Sequence, residues 1–255
     1  MTSLEFSSGL AVLTIDAGPL NLYTPAVHDE LLGLLDGLPD GTRALLIRAE
    51  GQVVSGGVDV GVFDAQGSPE EAQALFDRLL MLPARIAGFE FPTVFAAHAL
   101  CLTWAFEVAL ACDLLLAAES AAFGLVEKVV GLTPAMGGTQ RLAARAGVAR
   151  AKELVMTGDR YPAAVLERWN VVNRVLPDDG FDDAARAFAA GLAAGPTRAH
   201  AATKQVVAAF ERGGVGEADR VTASVAAGLY RTEDLRAAIR SFLAEGPGKA
   251  TFVGR

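Results

Sequence analysis

Two glutamates within one apolar stretch of the sequence are the residues whose type and spacing are best suited to chemistry. Glu107 lies within residues 106–113, and Glu127 follows the apolar segment 123–126. An ionised carboxylate is costly in such surroundings unless it has a partner or a function. Two carboxyls in a dry cleft can divide the acid and base roles around one water molecule. Two salt-bridged acids of the core would show the same pattern, so the residues alone leave both interpretations open.

The segment before Glu107 predicts a helix that begins after Thr103. Threonine is a favoured N-cap, and we expect its hydroxyl to accept a hydrogen bond from the amide of Ala105 or Phe106. The amide of Trp104 would then stay unpaired at the positive end of the helix dipole. Such a donor can stabilise a developing oxyanion, with Glu107 about one turn further along. An ordinary capped helix with Trp104 in the core is the alternative.

A pair of glycines, Gly56 and Gly57, follows a predicted strand and precedes Val58, Asp59 and Val60. Paired glycines let the backbone approach a ligand closely and expose consecutive amides. A simple tight turn would use the same residues. Neither the dinucleotide-binding nor the Walker phosphate-loop motif occurs here, so a nucleotide-binding loop of either kind is not predicted.

Short apolar runs alternate with helix-like segments over the first two thirds of the chain. The runs are continuous rather than alternating in polarity, as expected for strands covered on both faces. The alternation favours right-handed βαβ units, and therefore an α/β fold. The predicted strands are 10–15, 44–48, 93–97, 113–117 and 171–175. The predicted helices are 25–37, 69–87, 104–111, 139–146 and 149–156.

The last part of the chain is predicted to be helical. Its predicted helices are 181–194, 196–212, 217–230 and 233–244, separated by glycine-containing breaks. We expect an α/β core over residues 1–195 and a helical region over residues 196–255. The apolar stripes of these helices would either cover the core of their own chain or bury an oligomer interface, and composition does not separate the two.

Composition restricts the classes of function. The 255 residues are 52% hydrophobic and 20% charged, which is enough apolar material for a sizeable core. The net charge of −8 argues against a nucleic-acid partner. Charged residues within the apolar run 94–118 argue against a membrane span. Two cysteines and three scattered histidines predict no metal site, and the N-terminus lacks the pattern of a targeting segment, so we expect a cytoplasmic protein.

Longer motifs give the chain a resemblance to the crotonase superfamily, of which enoyl-CoA hydratase is the best-known member. The similarity runs over essentially the whole chain, and its central motif is highly specific. The motifs that carry it are 18–21, 107–113, 117–119, 123–124, Glu127, 131–134, 137–142, Gly147, 151–154, 157–158 and 172–175.

The resemblance implies a crotonase-like spiral of repeated ββα units, followed by a C-terminal helical region that forms trimers. It implies an acyl-CoA substrate and a homotrimer or homohexamer. It implies no metal and no prosthetic group, since coenzyme A is part of the substrate. The implied activity is that of a lyase that adds water across the 2,3 double bond of an enoyl-CoA thioester, with dehydration of a 3-hydroxyacyl-CoA as the reverse reaction.

The resemblance also assigns roles by position. The backbone amides of Val58 and Trp104 would form the oxyanion hole for the thioester carbonyl. Glu107 and Glu127 occupy both acid/base positions of true hydratases, whereas double-bond isomerases often keep only the second. The amide of Ala135 would help to hold the attacking water. The pocket for the adenine and pantetheine of coenzyme A would be lined by Gly56, Gly57, Asp59 and Val60.

The chain departs from the family pattern at the implied oxyanion hole. The family usually has a glycine-rich run where this chain has residues 98–105, and Trp104 adds a ring where glycine leaves room. Branched Val58 replaces the common alanine. No lysine or arginine lies near Asn21, where relatives often keep a basic residue for the coenzyme A phosphates. Lys204 or Lys249 either substitutes for that residue or is a solvated surface lysine. The alternatives are therefore another acyl-CoA activity, such as a double-bond isomerase or thioester hydrolase, or a non-catalytic acyl-CoA-binding protein.

Overall fold

The computed structural model describes residues 2–255 and contains two sheets flanked by helices. The larger sheet has six strands in the order β1-β2-β3-β4-β6-β9, and all neighbours are parallel except the antiparallel pair β1 and β2. The smaller sheet has the order β5-β7-β8. The strands are β1 Ser3–Ser7, β2 Leu10–Ile15, β3 Ala44–Ala49, β4 Thr93–Ala97, β5 Cys101–Leu102, β6 Leu114–Ala118, β7 Ala122–Gly124, β8 Tyr161–Pro162 and β9 Arg174–Leu176.

Helices connect the strands and make up most of the chain after β9. The α-helices of residues 2–255 are α1 Pro25–Asp36, α2 Gly61–Asp64, α3 Pro69–Ala87, α4 Trp104–Ala111, α5 Gly138–Ala146, α6 Val148–Thr157, α7 Ala163–Arg168, α8 Phe181–Ala193, α9 Thr197–Gly228 and α10 Glu233–Glu245. Short 3-10 helices cover Glu127–Val130 and Leu229–Arg231. Within residues 2–255, every helix is too short or too polar to cross a lipid bilayer.

The central parallel strands β2, β3 and β4 are largely apolar, with Thr14, Arg48 and Thr93 as exceptions, because helices cover the sheet. Every residue of β4 is buried, and β2 is buried from its second residue onward. Helix α8 lies against β2, β3 and β4. Helix α4 is buried at every residue and contacts α3, α5 and the small sheet. A side chain on α4 is therefore held in the interior of the protein, whatever its polarity.

The structure confirms most of the predicted core elements and corrects the last strand. Strands 10–15 and 93–97 and helices 69–87 and 104–111 have the predicted bounds. The strand predicted at 171–175 instead begins at Arg174, where it pairs with Leu116 of β6. Val171 and Val172 before it are buried in a bend, and the side chain of the exposed Asn173 accepts a hydrogen bond from the amide of Leu115 at 2.8 Å. The two buried valines made this bend look like part of a strand.

The predicted break between two helices of the tail is present in the structure. Within α9, Gly213 and Gly214 have non-helical backbone angles, so a kink separates two helical segments there. Gly214 has φ of 70°, in the left-handed region that favours glycine. Helix α10 begins after Thr232, whose hydroxyl accepts a hydrogen bond from the amide of Leu235. The glycine pair thus interrupts the helix, as the sequence predicted.

One buried asparagine ties the N-terminal turn to two other segments. Asn21 has φ of 46°, a conformation that asparagine tolerates better than most residues. Its side-chain oxygen accepts from the amide of Ala17 at 2.8 Å, and its nitrogen donates to the carbonyls of Glu50 at 2.9 Å and Val53 at 3.1 Å. Its own carbonyl accepts a hydrogen bond from the indole of Trp104 at 3.1 Å. Asn21 therefore helps to fix the start of α4.

Replacing Asn21 with alanine should destabilise the protein. The change removes all three side-chain hydrogen bonds and leaves two carbonyl oxygens without these donors. We expect the free energy of unfolding to fall by about 2–3 kcal/mol, and the melting temperature to fall by about 5–10 °C in calorimetry. Gln52→Ala, at an exposed position of the same loop, is the matched control and should change stability by less than about 0.5 kcal/mol. Equal melting temperatures for the two variants would contradict this role of Asn21.

Candidate active site

Helix α4 carries Glu107 into the interior, where backbone amides hold its carboxyl. The side chain is 2% exposed. Its Oε2 accepts hydrogen bonds from the amides of Met136 at 2.8 Å and Gly138 at 2.7 Å, at the start of α5. A Cβ on Gly138 would lie 2.7 Å from the Cγ of Glu107, closer than real Cβ contacts allow. Gly138 is thus required for the close approach of the backbone to the carboxyl.

Glu127 reaches the same place from another element. It begins the 3-10 helix that follows β7 and is 8% exposed. Neither of its carboxyl oxygens has a hydrogen-bond partner among residues 2–255. Glu107 and Glu127 line one cavity. The centre of a water molecule can occupy about 20 Å³ within it, which is room for about one water. The other lining residues are Tyr23, Val58, Phe63, Leu79, Leu132, Thr133, Ala135 and Met136.

Burial raises the pKa of both carboxyls. The pKa of Glu107 rises to about 8, chiefly through loss of water and then through the negative charge of Glu127. The two backbone hydrogen bonds and the nearby Arg141 act in the opposite direction. Burial raises the pKa of Glu127 to about 7. Near neutral pH the pair therefore holds about one proton.

Two backbone amides near this cavity have no acceptor among the described residues. The segment before Val58 pairs with Tyr23, since the amide of Tyr23 donates to Gly57 at 2.9 Å and the amide of Asp59 donates to Tyr23 at 3.1 Å. These bonds leave the amide of Val58 unused. The amide of Trp104, the first residue of α4, is unused as well. Both are donors of the kind that can stabilise a negative oxygen.

The two segments that carry these amides run beside each other. The amide of Leu102 donates to the carbonyl of Ser55 at 3.1 Å, and the amide of Ser55 donates to the carbonyl of Leu100 at 3.1 Å. A Cβ placed on Gly57 would lie 3.4 Å from the hydroxyl oxygen of Thr103. The residues that precede the two amides, Gly57 and Thr103, are therefore in contact.

The predicted N-cap of α4 is wrong. Thr103 has φ of 48° and ψ of −116°, and its hydroxyl accepts no bond from the first turn of the helix. A capping side chain needs an extended backbone at this position. The amide of Thr103 donates instead to the carbonyl of Gly124 at 2.9 Å, so the small sheet extends up to the residue before the helix. The amide of Trp104 is unused because the first amides of a helix have no acceptor within the helix, and no capping side chain supplies one.

The indole of Trp104 belongs to the wall of the protein. It is 0% exposed, its ring packs against Tyr23 with centroids 6.1 Å apart, and its Nε1 donates to the carbonyl of Asn21. It is not one of the residues that line the cavity of the two glutamates. The bulky ring therefore does not line that cavity, although it packs against the lining residue Tyr23, and the amide of Trp104 stays available.

The structure brings together some of the predicted site residues and not others. Val58 and Ala135 line the cavity, whereas Gly56, Gly57, Asp59 and Val60 do not. The side chain of Asp59 accepts a hydrogen bond from Gly61 at 3.0 Å, as a turn residue. Val60 is exposed, and Gly56 lies against Leu20. These four residues therefore form a turn next to the cavity residue Val58.

Lys204 has a structural partner. Its Nζ donates to the carboxylate of Asp113 at 2.8 Å and to the carbonyl of Phe91 at 3.2 Å. The same carboxylate accepts from the amide and the hydroxyl of Thr93, at 2.8 Å and 3.0 Å. Lys204 thus fastens α9 to the end of the central sheet. The idea that it replaces a phosphate-binding residue is not supported by this arrangement.

Sequence reasoning missed several residues that line the cavity. Tyr23 and Leu79 come from the N-terminal turn and from α3, far from the glutamates in sequence. The amide of Met136, which donates to Glu107, was missed. The sequence predicts a role only for the neighbouring amide of Ala135, which would hold the attacking water. The glycines after it, 137–138, were the available signal, because a glycine at a helix start permits close backbone approach.

Comparison with known proteins decides the family. The sequence model described as enoyl-CoA hydratase/isomerase matches residues 5–249. The chain belongs to this family. A relative from Rhodobacter capsulatus, described as a probable enoyl-CoA hydratase, is 30% identical over 98% of this chain and 97% of its own. One of the same description from Bacillus subtilis is 36% identical over 62% of each chain.

Solved structures of the enoyl-CoA hydratase/isomerase family confirm the predicted fold. Enoyl-CoA hydratase from Bacillus anthracis superposes with a TM-score of 0.91 at 23% identity, over 100% of this chain and 99% of that one. A likeness at that identity shows the fold alone. The predicted α/β crotonase fold with a helical C-terminal region is therefore correct.

Glu127 should make the stability of the protein depend on pH. Since its native pKa lies above the ordinary value of 4.5, the native state keeps a proton that the unfolded chain releases between about pH 4.5 and 7. The free energy of unfolding therefore falls as the pH rises through this window. Glu127→Gln removes the effect because its amide stays neutral. We expect nearly equal melting temperatures at pH 5, and at pH 8 a variant more stable by about 1–3 kcal/mol.

The control for this measurement is Glu119→Gln, which changes an exposed glutamate. Its melting temperature should follow that of the wild type at both pH values. A Glu127→Gln variant that is no more stable than the wild type at pH 8 would contradict the burial of an ionisable carboxyl at this position.

Proposed function

We propose that the protein is a hydratase that adds water across the 2,3 double bond of an enoyl-CoA thioester, and that it catalyses the reverse dehydration. The observation that carries the proposal is the shared cavity of Glu107 and Glu127, with room for about one water. The unused amides of Val58 and Trp104 support it, because they can bind the thioester carbonyl oxygen. Coenzyme A enters only as part of the substrate, and the steps below need no metal or prosthetic group.

The proposed reaction starts with the pair of glutamates holding one proton. The ionised carboxyl removes a proton from the bound water as the water oxygen forms a bond to C3. The electrons of the double bond move toward the thioester carbonyl, whose oxygen becomes negative and is stabilised by the two amides. The neutral carboxyl then donates its proton to C2. One proton has moved from water to the pair and one from the pair to the product, so the pair ends with the proton number it had at the start.

A double-bond isomerase is the second candidate, and one observation favours it. Both oxygens of Glu127 are free of hydrogen-bond partners among residues 2–255, whereas Oε2 of Glu107 already accepts two backbone hydrogen bonds. A single glutamate that removes a proton at one carbon and returns it at another would suffice for isomerisation. Glu107 would then be a structural acid.

Exposed apolar side chains on α9 and α10 suit an assembly of several copies. Phe210, Phe242 and Leu243 are 52%, 59% and 80% exposed. We propose that these side chains are covered in a homotrimer or a homohexamer, because large apolar groups gain free energy when they leave water.

Amide variants of the two glutamates test the proposed reaction. Loss of ultraviolet absorbance of the conjugated thioester crotonyl-CoA measures hydration. Glu107→Gln and Glu127→Gln should each lower kcat by about 10²–10⁴, since each removes an acid/base group. Glu119→Gln is the matched control and should keep the wild-type rate. A Glu107→Gln variant that isomerises a 3-enoyl-CoA at a near wild-type rate would favour the isomerase, and a wild type inactive on short, medium and branched enoyl-CoA would rule out the hydratase.

The pH dependence of hydration should follow the shared proton. Below about pH 7 both carboxyls become neutral and no base remains, whereas above about pH 8 both are ionised and no acid remains. We expect kcat/KM to pass through a maximum between these values, with apparent pKa values that belong to the pair. The measurement is the initial hydration rate from pH 5 to 10. A rate that rises to a plateau at high pH would contradict the need for a protonated partner.

A further inference from the structure

Thr103 has a backbone conformation that its side chain makes costly. Its φ of 48° and ψ of −116° lie where glycine is at ease and a β-branched residue is an outlier. Strain of this kind persists where the surrounding structure imposes it, and it concentrates at functional sites. Here the imposing contacts are known, since the amide of Thr103 donates to Gly124 and its carbonyl accepts from the amide of Glu107 at 2.8 Å. Glycine would satisfy both contacts without strain.

The hydroxyl of Thr103 adds a second cost. The residue is 4% exposed, and its Oγ1 has no hydrogen-bond partner among residues 2–255. A buried hydroxyl without a partner destabilises the folded state relative to an apolar group of the same shape. Neither the conformation nor the burial of this residue therefore calls for a threonine. A ligand atom that accepts a hydrogen bond from the Thr103 hydroxyl would account for both the strained backbone and the unpaired hydroxyl.

The position of this hydroxyl is defined by its two neighbours. Thr103 is bonded directly to Trp104, the residue with one of the unused amides. Its side chain lies against Gly57, with the Oγ1 atom 3.4 Å from the point where a Cβ would be. Gly57 is in turn bonded to Val58, the residue with the other unused amide. The residue that precedes one unused amide thus carries the hydroxyl, and the residue that precedes the other lies beside it.

We propose that the hydroxyl of Thr103 is a third hydrogen-bond donor to the thioester carbonyl oxygen of the substrate. The inference rests on the proposed function in that both place an acyl thioester oxygen between Val58 and Trp104. The hydroxyl donates its hydrogen as charge develops on this oxygen, and no bond to Thr103 is formed or broken. Thr103 is then a catalytic residue, although the crotonase superfamily usually has glycine-rich sequence in this segment.

Three substitutions separate the hydroxyl from the shape and the strain of the residue. Thr103→Val keeps the branched shape and removes the hydroxyl. Thr103→Ser keeps the hydroxyl and removes the methyl group. Thr103→Gly removes the strain together with the hydroxyl. One assay is hydration of crotonyl-CoA. The second assay is the ultraviolet absorbance of the enolate of bound acetoacetyl-CoA. It reports how well the protein stabilises a negative thioester oxygen even without turnover.

The expected pattern follows the hydroxyl. Thr103→Val and Thr103→Gly should each lower kcat/KM and the fraction of bound enolate by about tenfold or more, as expected for the loss of an oxyanion donor. Thr103→Ser should recover both values to within about threefold. The melting temperature of Thr103→Val should be equal to or above that of the wild type, since a buried unpaired hydroxyl is removed. A structural hydroxyl would lower it instead.

The outcomes distinguish this inference from the proposed function. One outcome would overturn the inference and leave the hydratase intact. In it, the wild type hydrates crotonyl-CoA, and Thr103→Val or Thr103→Gly has the same hydration rate and enolate signal as the wild type. An enolate signal that depends on the hydroxyl, in a protein that hydrates no enoyl-CoA, would support the inference and overturn the hydratase. No enolate signal in the wild type would overturn the inference. If Thr103→Val does not fold, the contrast between Thr103→Ser and Thr103→Gly decides the same question.

Discussion

Placing two carboxyl groups where water is scarce is the constraint on which the rest of this site depends. An ionised acid loses most of its hydration in such a place, and the protein must either supply hydrogen-bond donors or leave a proton on the acid. Glu107 receives two amides from the start of α5, and this is possible because Gly138 has no side chain. Glu127 receives no such donors among residues 2–255. The two acids thus share a cavity but differ in the number of hydrogen-bond donors to their carboxyl groups. This difference suits a pair that carries one proton.

The opposite requirement of the proposed reaction, a site for a negative oxygen, would be met by backbone amides. The turn at Asn21, the loop around Gly57 and the start of α4 are joined by hydrogen bonds that leave the amides of Val58 and Trp104 unused. Backbone donors held in this way need no reorientation when charge develops. The large indole of Trp104 does not interfere, because it fills the wall between Asn21 and Tyr23. A residue that looked like an obstacle in the sequence is part of the scaffold.

The elements that could be predicted are those with a local cause. Helix α3 has a proline at its start and the hydroxyl of Ser68 as its cap, and strand β4 is a continuous apolar run, so both had the predicted bounds. Strands β5 and β7 were missed because two or three residues show no periodicity and are defined by their distant pairing. The same distant pairing places Thr103 in its strained conformation, which explains why the local N-cap rule failed there. At the site, an acid in apolar sequence pointed to the two carboxyls that share the cavity but left their role open. The lining residue Leu79 gave no signal, because only the fold brings α3 to the cavity.

The small volume of the cavity bears on the fate of the thioester. A thioester is open to hydrolysis as well as to addition at its double bond, and an acid/base pair that activates water for one reaction can activate it for the other. The space between Glu107 and Glu127 admits about one water molecule. In the proposed hydration this water is consumed at C3, whereas a second water at the carbonyl carbon would release free coenzyme A. Selectivity for addition would then require that no second water lies beside the carbonyl, and a wider chamber with the same two acids would favour a thioesterase.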